Sequence, residues 1–547
     1  MKDKHIILIL GLFLTICTIF SSLSPVLANI EPIEKSKNPY KIVRSSETTM
    51  TGSLVIMGGG AWRYLDALPW SEDMMQWFVD KANGKPICIL DSLYDQINQQ
   101  YVNRLVDSFG ANNDSFSVAP TLDREFGAHP DDDDLYQQLK NCGGIWIMGG
   151  DQNWYYDQYK GRKVHDAILE VFQNGGVVGG HSAGAMLMSE YVFNANYYGP
   201  GSSEYLMPDS VLYDPFNPAV TIINDFVGFL PNAIIDSHLQ QYGRIPRLAT
   251  TVARVKHDFG EDVLGIGLDR ETALAVDKNL VGTVFGGGVV SFLEYSEDSN
   301  VFLKNGTTFG ASNIKFSQYT EGNTIDLKTM EVTTYENGVN QNPTVENRGT
   351  DFTQTKLIGN DTESADLGDI TFDADPLGIE FDPDAWTYGR LVFENGTGTI
   401  PGAVITPRIY KPETGTSLLA NKYYGLEYAL ASHPGKVGIM VPYHLNGTVD
   451  AKGVVKVTET TKGKCDQILI FDTATVTAVG TLKHASRGGY SSTIENARIH
   501  IINPDMSFSL ATGKASVSTA PSFNAIISLM GIAVVTAMGS KKFKKKD

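Results

Sequence analysis

Cysteine is scarce in this chain. Only four cysteines occur among 547 residues, and one of them, Cys17, lies in an apolar N-terminal run. The other three, Cys88, Cys142 and Cys465, are far apart and have the spacing of neither a zinc site nor a disulfide framework. The sequence therefore predicts no metal site and no cofactor, and it argues against a small disulfide-stabilised scaffold.

The chain also has fewer basic than acidic residues. Lysine and arginine total 44 against 62 aspartate and glutamate residues, so the formal net charge is −18. This acidic balance argues against nucleic acid as a partner. Hydrophobic residues make up 42% of the chain and charged residues 19%, which is typical of a globular protein, and the length suits two or three domains.

An apolar run from 6 to 20 lies near the start of the chain. Lys2 and Lys4 precede it, and it closes with small residues up to Ala28. This three-part pattern predicts a secretory signal peptide at 1–28, with an uncleaved membrane anchor as the alternative. The polar residues 29–50 that follow are predicted to be a linker.

A second apolar run lies near the other end of the chain. The segment 523–540 carries no charge and is followed by a lysine-rich tail at 541–547. Its length is at the lower limit for crossing a bilayer, and the lysines indicate the cytoplasmic side. We therefore expect a C-terminal transmembrane helix or sorting segment, preceded by a linker at 506–522. A buried C-terminal helix is the alternative, but the two ends together predict an exported chain anchored at the cell surface.

Between these ends, short apolar runs alternate with helical patterns. The first strand-like runs lie at 53–57, 86–90, 144–148 and 177–178. This alternation predicts βαβ units and a mostly parallel sheet. Ligand sites in such sheets lie beyond the carboxyl ends of the strands. We therefore expect the glycine run after Met57, the stretch from Gly149 to Gln152, and Ser182 to lie at one edge.

The sequence Gly180-His181-Ser182-Ala183-Gly184 has the G-x-S-x-G form of a nucleophile elbow. An apolar strand leads into it and a helical pattern leaves it, so the serine hydroxyl is expected at the apex of a tight turn. Small neighbours are needed because such a turn admits no side chains. A structural strand–helix turn is the alternative interpretation of the same five residues.

His238 is the candidate general base. It ends a strand-like run from 233, and an imidazole titrates near neutrality, so it can accept a proton from a serine hydroxyl. His181 is the weaker candidate because the side chains of adjacent residues diverge. A histidine at a strand end can also be an ordinary surface or core residue.

Together with Asp236 and Gly265–Asp269, these landmarks occur in an order and at spacings that resemble the cyanophycinase and aspartyl dipeptidase family of serine peptidases. The resemblance covers residues 51–330, about half of the chain. It implies a three-layer α/β/α sandwich with a mostly parallel, flavodoxin-like sheet, similar to class I glutamine amidotransferases. It also implies that the backbone N–H groups of Gly150 and Ala183 form an oxyanion hole.

The third catalytic residue departs from the family pattern. The family places its acid at the position that Arg270 occupies here, between Asp269 and Glu271. A neighbouring acid can take over, for which we favour Glu271 over Asp269, or the triad is incomplete.

The resemblance also suggests residues that contact the substrate. These are Asp151, Gln152, Asp236, Arg244 and Arg247. Ser237 and Tyr242 differ from the family pattern, which argues for a peptide or amide substrate, aspartyl or β-aspartyl peptides included, without arguing for cyanophycin itself. A homodimer is a further expectation.

Residues 345–505 differ in composition from the first half. They are rich in threonine, glycine, valine and aspartate, with short strand-like runs and turns such as Asn395-Gly396. They are predicted to form a β-rich module. A degenerate extension of the first domain is the alternative, because 497–510 faintly resembles 313–327. Surface binding or spacing is its expected role.

The sequence thus predicts an exported, membrane-tethered serine hydrolase. The alternative from another class is a cell-surface binding protein that kept the α/β scaffold and lost turnover. An amidase or esterase that uses the same elbow is a third interpretation.

Overall fold

A computed structural model describes the chain between residues 49 and 517 with internal gaps. The described ranges are 49–60, 69–91, 97–123, 128–194, 214–218, 220–358, 362–375, 390–409, 417–442, 445–460, 467–483 and 490–517.

The described part of the first half, up to residue 334, contains sixteen strands and seven helices. The strands are β1 (Ser53–Met57), β2 (Ile87–Leu90), β3 (Phe116–Val118), β4 (Gly144–Ile147), β5 (Val177–His181), β6 (Ser189–Phe193), β7 (Ile222–Ile223), β8 (Leu230–Ser237), β9 (Leu264–Leu268), β10 (Thr272–Val276), β11 (Val281–Gly286), β12 (Val290–Glu294), β13 (Asn300–Phe302), β14 (Gly310–Tyr319), β15 (Thr324–Asp326) and β16 (Glu331–Thr334). The helices are α1 (Pro69–Lys81), α2 (Ile97–Phe109), α3 (Asp133–Lys140), α4 (Gln152–Tyr159), α5 (Lys163–Gln173), α6 (Ala183–Met186) and α7 (Ile245–Phe259).

The described part of the second half contains twelve strands, one α-helix and one 3-10 helix. The strands are β17 (Lys356–Ile358), β18 (Ile370–Asp375), β19 (Arg390–Asn395), β20 (Ala403–Ile409), β21 (Val437–Pro442), β22 (Leu445–Val449), β23 (Val454–Thr460), β24 (Ile468–Asp472), β25 (Ala478–Lys483), β26 (Tyr490–Ile502), β27 (Met506–Ser509) and β28 (Lys514–Val517). The α-helix is α8 (Ser417–Ser432), and the 3-10 helix is Thr362–Leu367.

The first sheet has nine strands in the order β16-β15-β11-β10-β1-β5-β4-β2-β3. Strands β1, β5, β4, β2 and β3 run parallel, and the other four extend the sheet antiparallel beyond β1. Parallel neighbours need crossover connections, which helices α1 to α5 supply. The predicted α/β class is confirmed, and so is a β-rich C-terminal region.

Both faces of the parallel strands are buried. On one face, Val55, Ile87 and Trp146 belong to a core that includes residues of α1 and α2. The edge of the Phe78 ring on α1 meets Trp146 at a centroid distance of 5.3 Å. Residues of the opposite face, such as Ile145, are equally inaccessible. Burial on both faces explains why these strands appear in the sequence as continuous apolar runs.

A second, larger sheet joins the two halves of the chain. Its main path has the order β19-β18-β20-β21-β24-β26-β14-β12-β9-β8-β6-β7, and β13 and β25 pair beside it. Strand β14 of the first half pairs antiparallel with β26 of the second, for example at Phe316 and Ala497. Strands of the 51–330 region therefore continue directly into strands of the β-rich region.

The strand order of this sheet repeats outward from the β14–β26 pair. On one side lie β12, β9, β8 and β6; on the other lie β24, β21, β20 and β18. On each side two antiparallel pairings are followed by two parallel ones. Helix α7 connects β8 to β9 as α8 connects β20 to β21. The second half thus repeats part of the architecture of the first.

A smaller sheet extends the repeat. It has five strands in the order β17-β22-β23-β27-β28, all antiparallel. The same antiparallel sequence of pairings joins β1, β10, β11, β15 and β16 in the first sheet. The weak sequence resemblance between 497–510 and 313–327 falls on corresponding strands of the two halves.

Helix α7 packs closely on β9. Pro246 lies in its first turn, and Gly260 ends it with φ 80°, a left-handed conformation that glycine adopts without strain. A Cβ atom at Gly265 of β9 would lie 2.8 Å from Val252 of the helix. The absence of a side chain at 265 is what allows this approach.

Helix α8 brings buried polar groups of the second half against the first half. The Tyr424 hydroxyl donates a hydrogen bond to Asp269 Oδ2 at 2.7 Å. The Gln240 amide donates to Glu427 Oε1 at 2.5 Å. All four side chains are buried, and burial raises the pKa of Glu427 well above its usual value. Burial therefore favours the protonated form of Glu427.

The predicted location at the cell surface is contradicted. No helix in the described ranges is long and apolar enough to cross a membrane. The longest of these helices, α8, has 16 residues, whereas a spanning helix needs about 20 apolar residues. The signal peptide predicted at 1–28 and the transmembrane or sorting segment predicted at 523–540 lie outside the described residues, as does the tail at 541–547.

The buried Glu427 predicts a pH dependence of stability. Its folded pKa is raised, so its contribution to stability is complete below its unfolded pKa and is lost as the pH rises through the folded pKa. Glu427→Gln removes this loss, which amounts to as much as about 1.4 kcal/mol per pH unit. Thermal unfolding at about pH 5 and about pH 8 should show a smaller decline in the mutant than in the wild type. The same decline in both proteins would contradict a raised pKa of Glu427.

Candidate active site

Three loops meet at the carboxyl ends of neighbouring parallel strands. Strand β5 lies between β1 and β4, with Met57 opposite His181 and Ile147 opposite Gly180. The loops after these strands therefore carry Gly58, Gly149 and Ser182 to the same edge of the first sheet, as the alternation of strands and helices predicts.

Ser182 occupies a sharp turn between β5 and α6. Its backbone has φ 53° and ψ −121°, and its N–H donates a hydrogen bond to Met57 O at 2.9 Å. A Cβ atom at Gly184 would lie 2.2 Å from Ile147 O, and one at Gly180 would lie 2.7 Å from the same oxygen. Both glycines of the motif are thus required by the packing of the turn against β4.

His238 reaches Ser182 from the other sheet. It follows β8, has φ 51°, and donates its backbone N–H to Gly58 O at 3.1 Å. Its Nε2 atom lies 3.0 Å from Ser182 Oγ. A Cβ atom at Gly59 would lie 2.3 Å from the imidazole. The glycine run after β1 therefore makes room for the histidine ring.

The environment of His238 keeps its imidazole neutral. Burial is the main cause that lowers its pKa well below the usual value, and the charges of Arg244, Arg270, His181 and Arg247 lower it further. A neutral imidazole near a serine hydroxyl is able to accept its proton.

The imidazole of His181 contacts the end of β4. The Gly149 N–H donates a hydrogen bond to His181 Nε2 at 3.1 Å, and the ring stacks on Trp146. Burial lowers the pKa of His181 to about 4. The imidazole thus holds the peptide at Gly149, a contact that the sequence does not predict.

The two predicted oxyanion-hole donors are Ala183, which follows Ser182 in the chain, and Gly150, which follows a glycine that lies close to Ser182. Ala183 is the first residue of α6, so no preceding turn of the helix supplies an acceptor for its N–H. Gly150 follows Gly149, whose Cβ position would be 3.2 Å from the Ser182 Cβ, and its φ of 146° is accessible to glycine. Their role as donors remains a prediction.

The two candidate acids have different surroundings. Asp269 accepts hydrogen bonds from the backbone N–H groups of Gln240 and Val289 and from Tyr424. Both of its carboxylate oxygens are thus occupied, and burial raises its pKa to about 7. Glu271 is 1% exposed, and its N–H donates to Gly59 O at 2.8 Å. This bond brings Glu271 to the same glycine that packs against His238.

Ser182, His238 and Glu271 share an uncommon backbone conformation. Ser182, His238 and Glu271 have φ values of 53°, 51° and 54°. For residues other than glycine this left-handed conformation is uncommon, and such strain clusters at functional sites. The three candidates for a triad share it, which supports Glu271 over Asp269.

Part of the chain is similar to a known peptidase family. Residues 54–282 match peptidase family S51. This stretch is the S51-like region of the chain. The cyanophycinases of Trichormus variabilis and of a Nostoc species are each 25% identical to it over 261 residues, which cover 47% of this chain and 77% of theirs. The resemblance predicted from the sequence is confirmed.

A solved structure is also similar to part of the chain. The crystal structure of a peptidase from an acI-B1 Actinobacterium is 21% identical, with a TM-score of 0.35. The match covers 51% of this chain and 98% of that one.

Most of the predicted substrate contacts of the S51-like region are engaged within the protein. Arg247 is 1% exposed and binds both carboxylate oxygens of buried Asp236, with Nε 2.8 Å from Oδ2. Arg244 donates to Ser237 O at 2.7 Å and stacks on Tyr242. These interactions hold the strand end that carries His238.

The other two predicted contacts lie at the start of α4. The buried Gln152 amide donates to Phe193 O at 3.0 Å. Asp151 is exposed and caps α4 by accepting from the Asn153 N–H. Of the five predicted substrate contacts, Asp151 alone has an exposed side chain, and all five roles stay predictions.

The contribution of the ion pair between Arg247 and Asp236 to stability can be tested by mutation. Arg247→Met should lower the free energy of unfolding by about 3–5 kcal/mol, because it leaves Asp236 buried without its partner. Chemical denaturation measures this change. The control is Lys163→Met, which breaks the exposed pair with Asp133 and should cost no more than about 1 kcal/mol. A rise in KM at unchanged stability would instead identify Arg247 as a substrate contact.

Proposed function

We propose that the chain is a serine hydrolase that cleaves peptide or amide bonds, on a flavodoxin-like three-layer α/β/α core. Ser182 is the nucleophile and His238 the general base. The observation that carries this proposal is the 3.0 Å contact between His238 Nε2 and Ser182 Oγ. The match of residues 54–282 to peptidase family S51 and the similarity to cyanophycinases support it.

The reaction begins with proton transfer. As Ser182 Oγ attacks the scissile carbonyl carbon, its proton moves to His238 Nε2. The imidazole is neutral beforehand because its pKa is lowered. It then gives the proton to the leaving amine, which departs and leaves an acyl-serine.

Water completes the cycle. His238 takes a proton from the water that attacks the acyl-serine, and the collapse of the second tetrahedral intermediate returns that proton to Ser182 Oγ. In both intermediates the N–H groups of Gly150 and Ala183 donate to the oxyanion. Such preorganised donors stabilise charge that develops only in the transition state.

Glu271 is the proposed third member. A carboxylate that accepts from His238 Nδ1 fixes the tautomer and stabilises the imidazolium. Support comes from the hydrogen bond of the Glu271 N–H to Gly59 O and from its strained backbone. Asp269 is less suitable because its oxygens already accept three hydrogen bonds.

The charges around the base favour an anionic substrate. Arg244 and Arg270 both act on the pKa of His238, and the Arg270 side chain lies against Gly60 of the same glycine run. Cations at this position suit a carboxylate on the substrate, as in aspartyl or β-aspartyl peptides. The cyanophycinase relatives point to the same class.

Labelling with a fluorophosphonate tests whether Ser182 is nucleophilic. The wild type should be labelled, and Ser182→Ala and His238→Ala should lose labelling because the nucleophile or its base is absent. His257→Ala, on the exposed side of α7, is the matched control and should label normally. Folded wild type that does not label would favour the rival function, a binding protein that has lost turnover.

The lowered pKa of His238 predicts the pH dependence of this labelling. The neutral imidazole is the active form, so the rate should stay near its neutral value as the pH falls below 6.5 and should decline only through the lower pKa. The second-order rate constant measured against pH checks this. A decline that is centred at or above 6.5 would contradict the effect of burial and of the surrounding arginines.

A further inference from the structure

The loops that carry His238 and Glu271 are tied to each other. The Gln240 N–H, two residues after His238, donates to Asp269 Oδ1 at 3.1 Å. A second bond runs in the opposite direction between the two loops: the Arg270 N–H donates to Gln241 Oε1 at 2.9 Å. The positions of the base and of its proposed acid are therefore linked through these two bonds.

Helix α8 of the second half contacts the residues that connect these two loops. Tyr424 donates to Asp269 Oδ2 at 2.7 Å, and its hydroxyl lies 3.5 Å from the Gln241 amide nitrogen. One turn further along the helix, Glu427 accepts from the side-chain amide of Gln240. The helix thus contacts both loops at once.

The contact between α8 and the two loops is buried and tightly packed. Tyr424 is 2% exposed, and Gln240, Gln241, Asp269 and Glu427 are fully buried. A Cβ atom at Gly288 would lie 2.7 Å from the Tyr424 hydroxyl, so the glycine makes room for it. Hydrogen bonds in such a low-dielectric setting are strong and restrict the groups that they join.

We propose that Tyr424 is a positioning residue for the active site, acting through Asp269 on the loops of His238 and Glu271. The inference rests on the proposed function. It assigns the second half a part in catalysis, in place of the surface binding or spacing expected from its composition. It also gives Asp269 a role, as the acceptor that joins the two loops to α8 instead of the acid of a triad.

A small displacement of these loops should be costly for the reaction. General-base catalysis needs His238 within hydrogen-bond reach of the hydroxyl, and an error of about 1 Å that originates far from the chemistry can cost about 100-fold in rate. Removal of the Tyr424 hydroxyl should therefore slow the reaction of Ser182 while leaving binding of the probe largely unchanged.

The test compares Tyr424→Phe with Tyr335→Phe in the full-length chain. Tyr335 makes a similar bond to a carboxylate, Glu495, at 2.6 Å. Hydrogen–deuterium exchange of the segments 237–243 and 269–271 measures loop positioning. Fluorophosphonate labelling measures the maximal rate and the probe concentration that gives half of it.

In Tyr424→Phe we expect faster exchange in both segments and a maximal labelling rate lowered by roughly 10–100-fold, at a nearly unchanged half-saturating concentration. Tyr335→Phe should match the wild type in the exchange of both segments, in the maximal labelling rate and in the half-saturating probe concentration. Unchanged exchange would overturn the inference, and so would faster exchange with unchanged labelling. If the wild type itself is not labelled, the proposed function fails, and exchange alone then decides whether Tyr424 holds the loops.

Discussion

His238 and Ser182 come from different sheets, and they meet over Gly58 and Gly59. The first of these glycines accepts the backbone N–H of His238, and the second leaves the space that the imidazole fills. A side chain at residue 59 would collide with the ring, so the 3.0 Å contact between base and nucleophile depends on its absence. The Glu271 N–H binds the carbonyl of the same glycine. One short loop after β1 therefore organises all three candidates for the triad.

Much of this arrangement could be predicted from the sequence because its signals are local. Apolar runs that end in glycine mark β1, β4 and β5, and the G-x-S-x-G pattern marks the turn at Ser182. The placement of β8 in a second sheet, the ion pair of Asp236 with Arg247, and the contact of Tyr424 with Asp269 could not be predicted. The last pair is 155 residues apart in the chain, and pairings over such distances leave no local pattern.

Three buried carboxyl groups near the site are accommodated in different ways. Asp236 is paired with an arginine. Burial raises the pKa of Glu427 well above its usual value, which favours the neutral form. Asp269 lies between these cases, since burial raises its pKa to about 7 while three donors act in the opposite direction. Each of them is tied to a neighbouring element, which makes the surroundings of His238 rigid and costly to rearrange.

The pairing of β14 with β26 also bears on how the protein is made. The Gln318 side chain binds the Ser492 carbonyl, 174 residues further along the chain. Contacts between such distant segments form slowly, because a long loop must close before they are gained. During synthesis, Ser182 and His238 leave the ribosome long before the helix that holds their loops. A translation product that stops early would contain every candidate for the triad without the element that aligns them, so we expect activity to appear only late in folding.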